Sequence, residues 1–294
     1  MRDLTTTIAA PTTAERVRSA CARTADAMLA ADGVTPITTP VHHLLADGSV
    51  VLTVPADGLL AATVTAAGHS GVAAMLELTD LAALPLRERV RSLVWFRGRL
   101  HAVPAARVAA MLDLVASENP HPALLQVNAG ADHEDPHTLV RLEIESVVVA
   151  DATGAESVPV GALLDARPDP FYAMESHWVQ HMESAHRDMV DRLASRLPIT
   201  LRHGHVRPLG LDRYGVQLRI DPVPRAALPA WIAARLAPAK VFTPPGFVVS
   251  HVQASDNMAE LVDLGRDPLM VWGARTDTLY GLVGLMERGW AQTG

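Results

Sequence analysis

The chain has 294 residues, of which 49% are hydrophobic, and 32 acidic against 25 basic residues give a formal charge of −7. This composition is too apolar for a disordered chain, and the length suffices for one large domain or two of ordinary size. The acidic balance, without an arginine-rich block, argues against a broad nucleic-acid-binding surface. A lone Cys21 excludes an intrachain disulfide and a thiolate metal cluster.

The apolar runs of the sequence are short, both at the N-terminus and elsewhere. The first residues lack the long apolar core of a secretory signal, and no apolar run approaches the roughly 18 residues that a membrane span needs. We therefore expect a cytoplasmic protein without a membrane span.

The first 165 residues predict a β-rich domain that opens with a helix. An alanine-rich helical pattern runs over residues 15–29 and stops at Asp32-Gly33. Apolar runs at 41–45 and 50–54 flank Asp47-Gly48, a dipeptide typical of a β-hairpin. Further predicted elements are helices at 57–67 and 104–117, and strands at 72–78, 90–103, 139–150 and 157–160.

A proline-punctuated linker at residues 166–170 separates this domain from a second one at 170–221. The second domain is predicted as a helix at 171–197 followed by a hairpin of strands 206–211 and 216–220. A proline-crowded tail at 222–294 follows, with helical patterns at 256–264 and 276–290. The expected fold class is therefore α+β, in three regions.

The densest group of ligand-capable side chains lies in the predicted helix of the second domain. His177 and His181 are four residues apart and share a helix face, and His186 follows five residues later. A neutral imidazole can ligate haem iron or a metal ion. The spacing is neither that of the His-Glu-x-x-His zinc proteases nor that of a zinc deaminase. At this point a ligand role and a structural or surface role both remain open.

Four other motifs favour ordinary structural interpretations. Residues 132–137 are typical of a polar loop, His42 and His43 point to opposite faces of a strand, and His203 and His205 could share a face. Ser70 is not in a nucleophile elbow, because Val72 stands where that turn requires glycine. Glycine-rich loops that bind dinucleotides or triphosphates are absent from the sequence.

Residues 175–186 resemble the helix of the small C-terminal domain found in haem-utilisation split-barrel proteins. That family's pattern is roughly His-Met-Asn-x-Asp-His, which this chain matches at His181, Met182 and His186, while Glu183 and Ala185 replace the Asn and Asp. Residues 209–219 resemble the hairpin that follows in the same domain.

Residues 12–165 resemble a divergent flavin-binding split β-barrel of the pyridoxamine-phosphate-oxidase type, in which helix, hairpin, helix and strands follow in this order. The resemblance implies a homodimer that binds haem or, less favoured, FMN at the subunit interface. An enzyme of this kind would degrade haem or act as a flavin-dependent oxidoreductase. The candidate cofactor-binding residues are His177, His181, His186, Arg97 and Arg99; no catalytic residue and no metal ligand is assigned.

Residues 228–292 are similar to the cap region of lysophospholipase-like α/β-hydrolases, so the chain looks like a fusion. The nucleophile elbow that should precede such a cap is missing, and so are the acid and histidine that should follow, which makes a hydrolase the least favoured function. The leading hypothesis is a haem- or flavin-binding split-barrel protein. The alternative is a cofactor-free binding or regulatory protein on the same scaffold, with a protein partner.

Overall fold

A computed structural model describes residues 10–23, 27–86, 89–127, 135–151, 154–195, 204–222 and 247–252. Its helices are α1 (Thr13–Arg23), α2 (Leu59–Ala67), α3 (Ala105–Glu118), α4 (Val160–Asp165), α5 (Glu175–Ala185) and α6 (Arg187–Ala194). Its strands are β1 (Ala27–Ala31), β2 (Val34–Thr39), β3 (His42–Leu44), β4 (Ser49–Pro55), β5 (Val72–Leu81), β6 (Val90–Ala102), β7 (His137–Asp151), β8 (Gly154–Val158), β9 (Gly204–Asp212), β10 (Gly215–Pro222) and β11 (Phe247–Val252).

Strands β1–β8 form one antiparallel sheet in the order β2-β1-β5-β6-β7-β4-β3, with β8 paired to β7. The consecutive strands β2 and β3 stand at opposite ends of this order, so the sheet has to curl to bring its ends together. Thr39 Oγ1 donates to the carbonyl of Thr53 at 2.7 Å, and the Thr53 N–H donates to the carbonyl of Val41 at 3.2 Å. The result is a curled half-barrel, which confirms the predicted α+β split-barrel class.

The barrel core follows from the alternation of side chains along the strands. Leu76 and Leu78 of β5 and Val94 and Phe96 of β6 point inward and are fully or almost fully buried. Val17 of α1 packs into the same cluster. A second core forms outside the barrel, where α3 covers neighbouring strands through the buried residues Val108, Val115, Val51 and Leu139.

A β-bulge interrupts the pairing of β6 with β7. Arg97 pairs with Ser146 and Gly98 with Ile144, which leaves Glu145 as the extra residue. A Cβ atom at residue 98 would lie 1.8 Å from the carbonyl oxygen of Glu143, so only glycine fits this close approach.

Strands β9, β10 and β11 form a second antiparallel sheet with β10 in the middle. Helix α6 covers it, with Val190 and Leu193 in contact with a cluster that includes Val206, Leu218 and Ile220. Strand β11 comes from the region predicted as a separate tail, so part of that region joins this sheet. The predicted helices at 256–264 and 276–290 lie outside the described residues.

Two helix predictions need correction. The helix expected over 15–29 ends at Arg23, and Ala27–Ala31 form a strand paired with β5, because the sheet position overrides the helical preference of alanine. The helix expected over 171–197 is two helices, α5 and α6, which meet at His186 with φ −128° and ψ 40°. Strand β2 was not predicted from the sequence. In the part of the chain that is described, no helix is long and apolar enough to cross a membrane.

Candidate functional site

Three of the predicted site residues lie together on the exposed side of α5. We call His177, His181 and His186 the imidazole row. The rings of His177 and His181 are stacked with centroids 6.4 Å apart, and those of His181 and His186 meet edge to face at 4.9 Å. All three residues are exposed. The structure therefore brings these side chains together at one accessible surface.

The exposure of the imidazole row follows from the residues on the other side of α5. Glu175 and Val179 are buried and lie one helical turn apart. Val179 packs against Leu84 and Leu209. At about 100° per residue, His177 is about 200° round the helix from Glu175, and His181 is about 200° from Val179. Burying one face of the helix thus turns the imidazoles of His177 and His181 to solvent, while His186 stands at the C-terminal cap of α5.

Apolar side chains flank the imidazole row. Trp178 is 36% exposed and Met174 is 45% exposed. The ring of Phe171 meets that of Trp178 edge to face at 5.2 Å. The surface of α5 therefore combines nitrogen donors with an aromatic ring and a thioether, which suits a flat, largely apolar ligand that carries a metal.

The imidazole row does not have the form of a closed metal site. Within the described ranges, no three His, Cys, Asp or Glu side chains converge on a point where they could hold a metal ion. A ligand that brings its own metal with most coordination positions filled needs only one or two of these imidazoles, and the row can supply them.

Arg97 and Arg99, the other predicted site residues, lie on the outer face of β6, beside the bulge. Arg97 is half-buried, whereas Arg99 is exposed and its Nε lies 3.9 Å from Glu145 Oε1. Arg91, which contacts α5 through Glu175, lies six residues before Arg97, or about 20 Å along the strand. Within one chain, the arginines and the imidazole row are therefore separate surfaces.

A buried ion-pair network, which the sequence did not predict, lies at the N-terminal end of α5 beside the imidazole row. We call Arg23, Asp80, Arg91 and Glu175 the charged cluster. Burial alone would raise the pKa of Asp80, but Arg91 and Arg23 outweigh it and hold that pKa below its ordinary value. The pKa of Arg91 is raised in turn, since the attraction of Asp80 and Glu175 exceeds the effect of burial. No local motif marks these residues, which come from four separate elements.

In the other motifs, Ser70, His43 and Cys21 are hydrogen-bonded, ion-paired or buried in ways that fit a structural role. The Ser70 hydroxyl donates to the carbonyl of Ala67 at 2.7 Å in a 3₁₀ turn. Burial lowers the pKa of His43, whose Nε2 lies 3.2 Å from Glu118 Oε2. Burial also raises the pKa of the Cys21 thiol to about 12, so this thiol is not a ready nucleophile. His203 and residues 132–134 lie outside the described residues.

Known proteins of similar structure share this fold at low sequence identity. No family model and no curated protein sequence matches the chain. A haem-binding protein from Mycobacterium smegmatis is 20% identical with a TM-score of 0.48, over 72% of this chain and 85% of its own. An FAD- and haem-binding protein from the same organism is 15% identical with a TM-score of 0.32, over 50% and 83%.

A further similar structure is a Clostridium acetobutylicum protein of the pyridoxine-phosphate-oxidase family, related to general stress protein 26. It is 10% identical with a TM-score of 0.34, over 51% of this chain and 96% of its own. The strand order and the closing of the curled sheet define the split-barrel architecture of this chain. The similar structures named above are described as haem-binding proteins and as a pyridoxine-phosphate-oxidase-family protein.

Proposed function

We propose that this protein binds haem through the exposed face of α5. The observation that carries the proposal is the imidazole row, in which His181 stands between His177 at 6.4 Å and His186 at 4.9 Å. An imidazole nitrogen is a common axial ligand of haem iron. A row of three accessible imidazoles offers such a ligand and a neighbouring group able to accept or donate a proton.

The side chains around the imidazole row fit the porphyrin as well. Trp178 and Met174 present exposed apolar surface beside the histidines, and Phe171 supports the indole from its edge. Aromatic and thioether groups make favourable contacts with a flat conjugated ring. When bound, haem would supply iron for electron transfer or oxygen chemistry. The chain's own residues would bind the ring, orient it and hold a proton at His177 or His186.

FMN fits the described residues less well than haem does. Its phosphate would need the positive charge of Arg97 and Arg99. Arg99 faces Glu145 at 3.9 Å and pairs across the sheet with Glu143, so carboxylates would oppose the phosphate there. Haem is accordingly the first ligand to test, and FMN the second.

A second copy of this chain is the partner that the proposal includes. On the outer face of the sheet, opposite the barrel core, Leu93, Trp95 and Ala150 form a separate apolar cluster whose members are at most 6% exposed. Met75 packs against this cluster, and Met28 on the neighbouring strand β1 is 42% exposed. The exposed Met28 and the half-buried Met75 leave an apolar patch at the surface beside this buried cluster, and such a patch supports an isologous contact between two identical faces.

Titration of the purified protein with haemin tests the proposed function. The wild-type protein should shift the Soret band of haemin, and the shift should saturate at one haem per chain. His181→Ala combined with His186→Ala should abolish or greatly weaken the shift. His69→Ala, which removes an exposed histidine from the 3₁₀ turn after α2, should leave it unchanged.

Two outcomes would count against the proposal. A shift that persists in the double variant would remove these histidines from the site. No shift of the Soret band with haemin and no change in flavin fluorescence with FMN, both measured with the wild-type chain, would favour the alternative of a cofactor-free binding protein.

A further inference from the structure

We infer that Glu175 is a positioning residue, which fixes the orientation of the imidazole row relative to the barrel. The inference rests on the proposed function, because it concerns how the haem-binding face of α5 is held. Glu175 is the first residue of α5, and its side chain is only 5% exposed. It lies two residues before the first histidine of the row.

The contacts of Glu175 reach both sheets of the molecule. Its Oε1 accepts from Arg91 Nη1 at 2.6 Å and from the backbone N–H of Leu211 at 3.0 Å. Its Oε2 lies 3.2 Å from Arg23 Nε and accepts from Arg91 Nη2 at 3.3 Å. A single carboxylate therefore ties helix α5 to α1 and β6 on one side and to β9 on the other.

The positive charges that face Glu175 belong to Arg91 and Arg23, and both are held by Asp80. The pairing of β5 with β6 shifts between Asp80 and Leu81, which face Ser92 and Val90, so that Arg91 is the extra residue of a bulge. Asp80 holds Arg91 Nη2 at 2.9 Å and Arg23 Nη2 at 2.7 Å. Asp80 thus orients both guanidinium groups, so the Glu175 carboxylate can bind them in only one arrangement.

Strand β9 of the second sheet passes close to the Glu175 carboxylate because residue 210 is glycine. At Gly210 a Cβ atom would lie 2.8 Å from Glu175 Oε1 and 2.9 Å from Arg91 Nη1, so a larger residue would displace the ion pair. The backbone of β9 approaches this closely because residue 210 has no side chain. Two positive and two negative charges, mutually paired and buried, leave no net charge to neutralise.

Loss of this anchor would act on the imidazoles through the helix. His181 lies six residues along α5 from Glu175, a rise of about 9 Å, so a tilt or rotation at the first turn displaces its ring. Other contacts of α5 with the loop after β5 are the apolar contacts of Val179 and a 3.4 Å hydrogen bond from Gln180 to the carbonyl of Ala83. Apolar contacts are not directional, so the ion pairs set the angle.

The test compares Glu175→Gln with Glu183→Gln. Glu183 also lies on α5 and pairs with Arg187 at 3.1 Å and Arg207 at 3.0 Å, but both partners belong to α6 and β9 rather than to the barrel. Hydrogen exchange of the haem-free protein should be faster across residues 175–185 in Glu175→Gln, with β5–β7 unchanged. Glu183→Gln should leave the exchange of the first turn of α5 unchanged.

Haemin binding provides the second measurement. Glu175→Gln should weaken it about 10- to 100-fold, the usual effect of losing a group that orients a ligand, and should change the spin state seen in the absorption and electron paramagnetic resonance spectra. Glu175→Asp keeps the charge and should recover part of both. If Glu175→Gln does not fold, Arg23→Gln takes its place; it removes the ion pairs of Arg23 with Glu175 and Asp80, at the most exposed residue of the cluster.

The results separate the two proposals. A wild-type chain that binds no haemin contradicts the proposed function, while the exchange measurement still tests whether Glu175 holds α5. A folded Glu175→Gln variant with wild-type exchange, affinity and spectra would overturn the positioning role even if haem binds.

Discussion

At Gly98 the fold cannot accommodate any side chain. A methyl group there would overlap the carbonyl oxygen of Glu143, at 1.8 Å, so β6 and β7 would have to separate at the bulge. We expect Gly98→Ala to lower the free energy of unfolding by about 3 kcal/mol, the upper end of the usual cost of overpacking. Urea unfolding followed by circular dichroism measures the change.

The matched control is Gly161→Ala, because nothing lies within 4 Å of a Cβ atom at this position in α4. Alanine in a helix should raise the free energy of unfolding by about 0.5–1 kcal/mol relative to glycine. Equal effects of the two substitutions would contradict the close approach described at the bulge.

Asp80 predicts a dependence of stability on acid. Its pKa is lowered in the folded chain, so its contribution is complete above the unfolded value of about 3.9 and is lost as the pH falls through the folded pKa. Asp80→Asn should therefore flatten the loss of stability below about pH 4. At neutral pH it should cost about 3–5 kcal/mol, since it leaves buried arginines partly unpaired.

Chemical unfolding of both forms between pH 3 and pH 7 measures this effect. Asp113→Asn is the control, because Asp113 is exposed on α3. An acid-limb slope in Asp80→Asn equal to that of the wild-type chain would contradict the assignment.

At the level of elements, the strand predictions hold where β-prone apolar runs flank a turn signal or extend over many residues. The hairpin around Asp47-Gly48 and the long strand β6 are confirmed. Strand β1 is hidden in the sequence because Ala27–Ala31 is alanine-rich, and its pairing with β2 and β5 makes it a strand. Strand β2 was not predicted because Pro36 lies within it, and proline is unfavourable in most strands. The proline is tolerated here because β2 lies at one end of the strand order.

The candidate site was predictable to the extent that it is local. The spacing of His177 and His181 on one helix face is enough to place their rings together. The partners of Glu175 are not local, since Arg91 is 84 positions away, and no periodicity within a window reports such a pairing. The bulge that turns Arg91 inward is likewise visible only once β5 and β6 are aligned.

Strand β11 decides how a shortened chain should behave. Truncation after Pro222 removes the strand that pairs with β10 but keeps α6 and its apolar contacts with the β9–β10 hairpin. We expect the shortened chain to remain folded with a lower melting temperature. Hydrogen exchange should be faster at Val216–Ile220 and unchanged in β5–β7. Complete unfolding would show that residues 223–294 are required for the fold.

For the whole molecule, the apolar patch of Met28 and Met75 on the outer face of the sheet predicts self-association. Light scattering should give about twice the mass of the 31.4 kDa chain. Met28→Glu with Met75→Glu places charge beside the Leu93–Trp95 cluster and should give a monomer. Leu125→Glu, at a residue 82% exposed elsewhere on the surface, should leave the mass unchanged. A monomeric wild-type chain would contradict the proposed contact.

The closing of the curled sheet also bears on how quickly the chain can fold. Strand β4 pairs with β7 so that Val50 faces Leu142, 92 positions later, and β1 pairs with β5 so that Ala27 faces Leu78, 51 positions later. Such pairings form only after long loops have closed, and proteins dominated by them refold in milliseconds to seconds rather than microseconds. The refolding rate of the barrel should therefore be set by the meeting of β4 with β7, and substitutions in the β4–β7 pairing should change the refolding rate more than the unfolding rate.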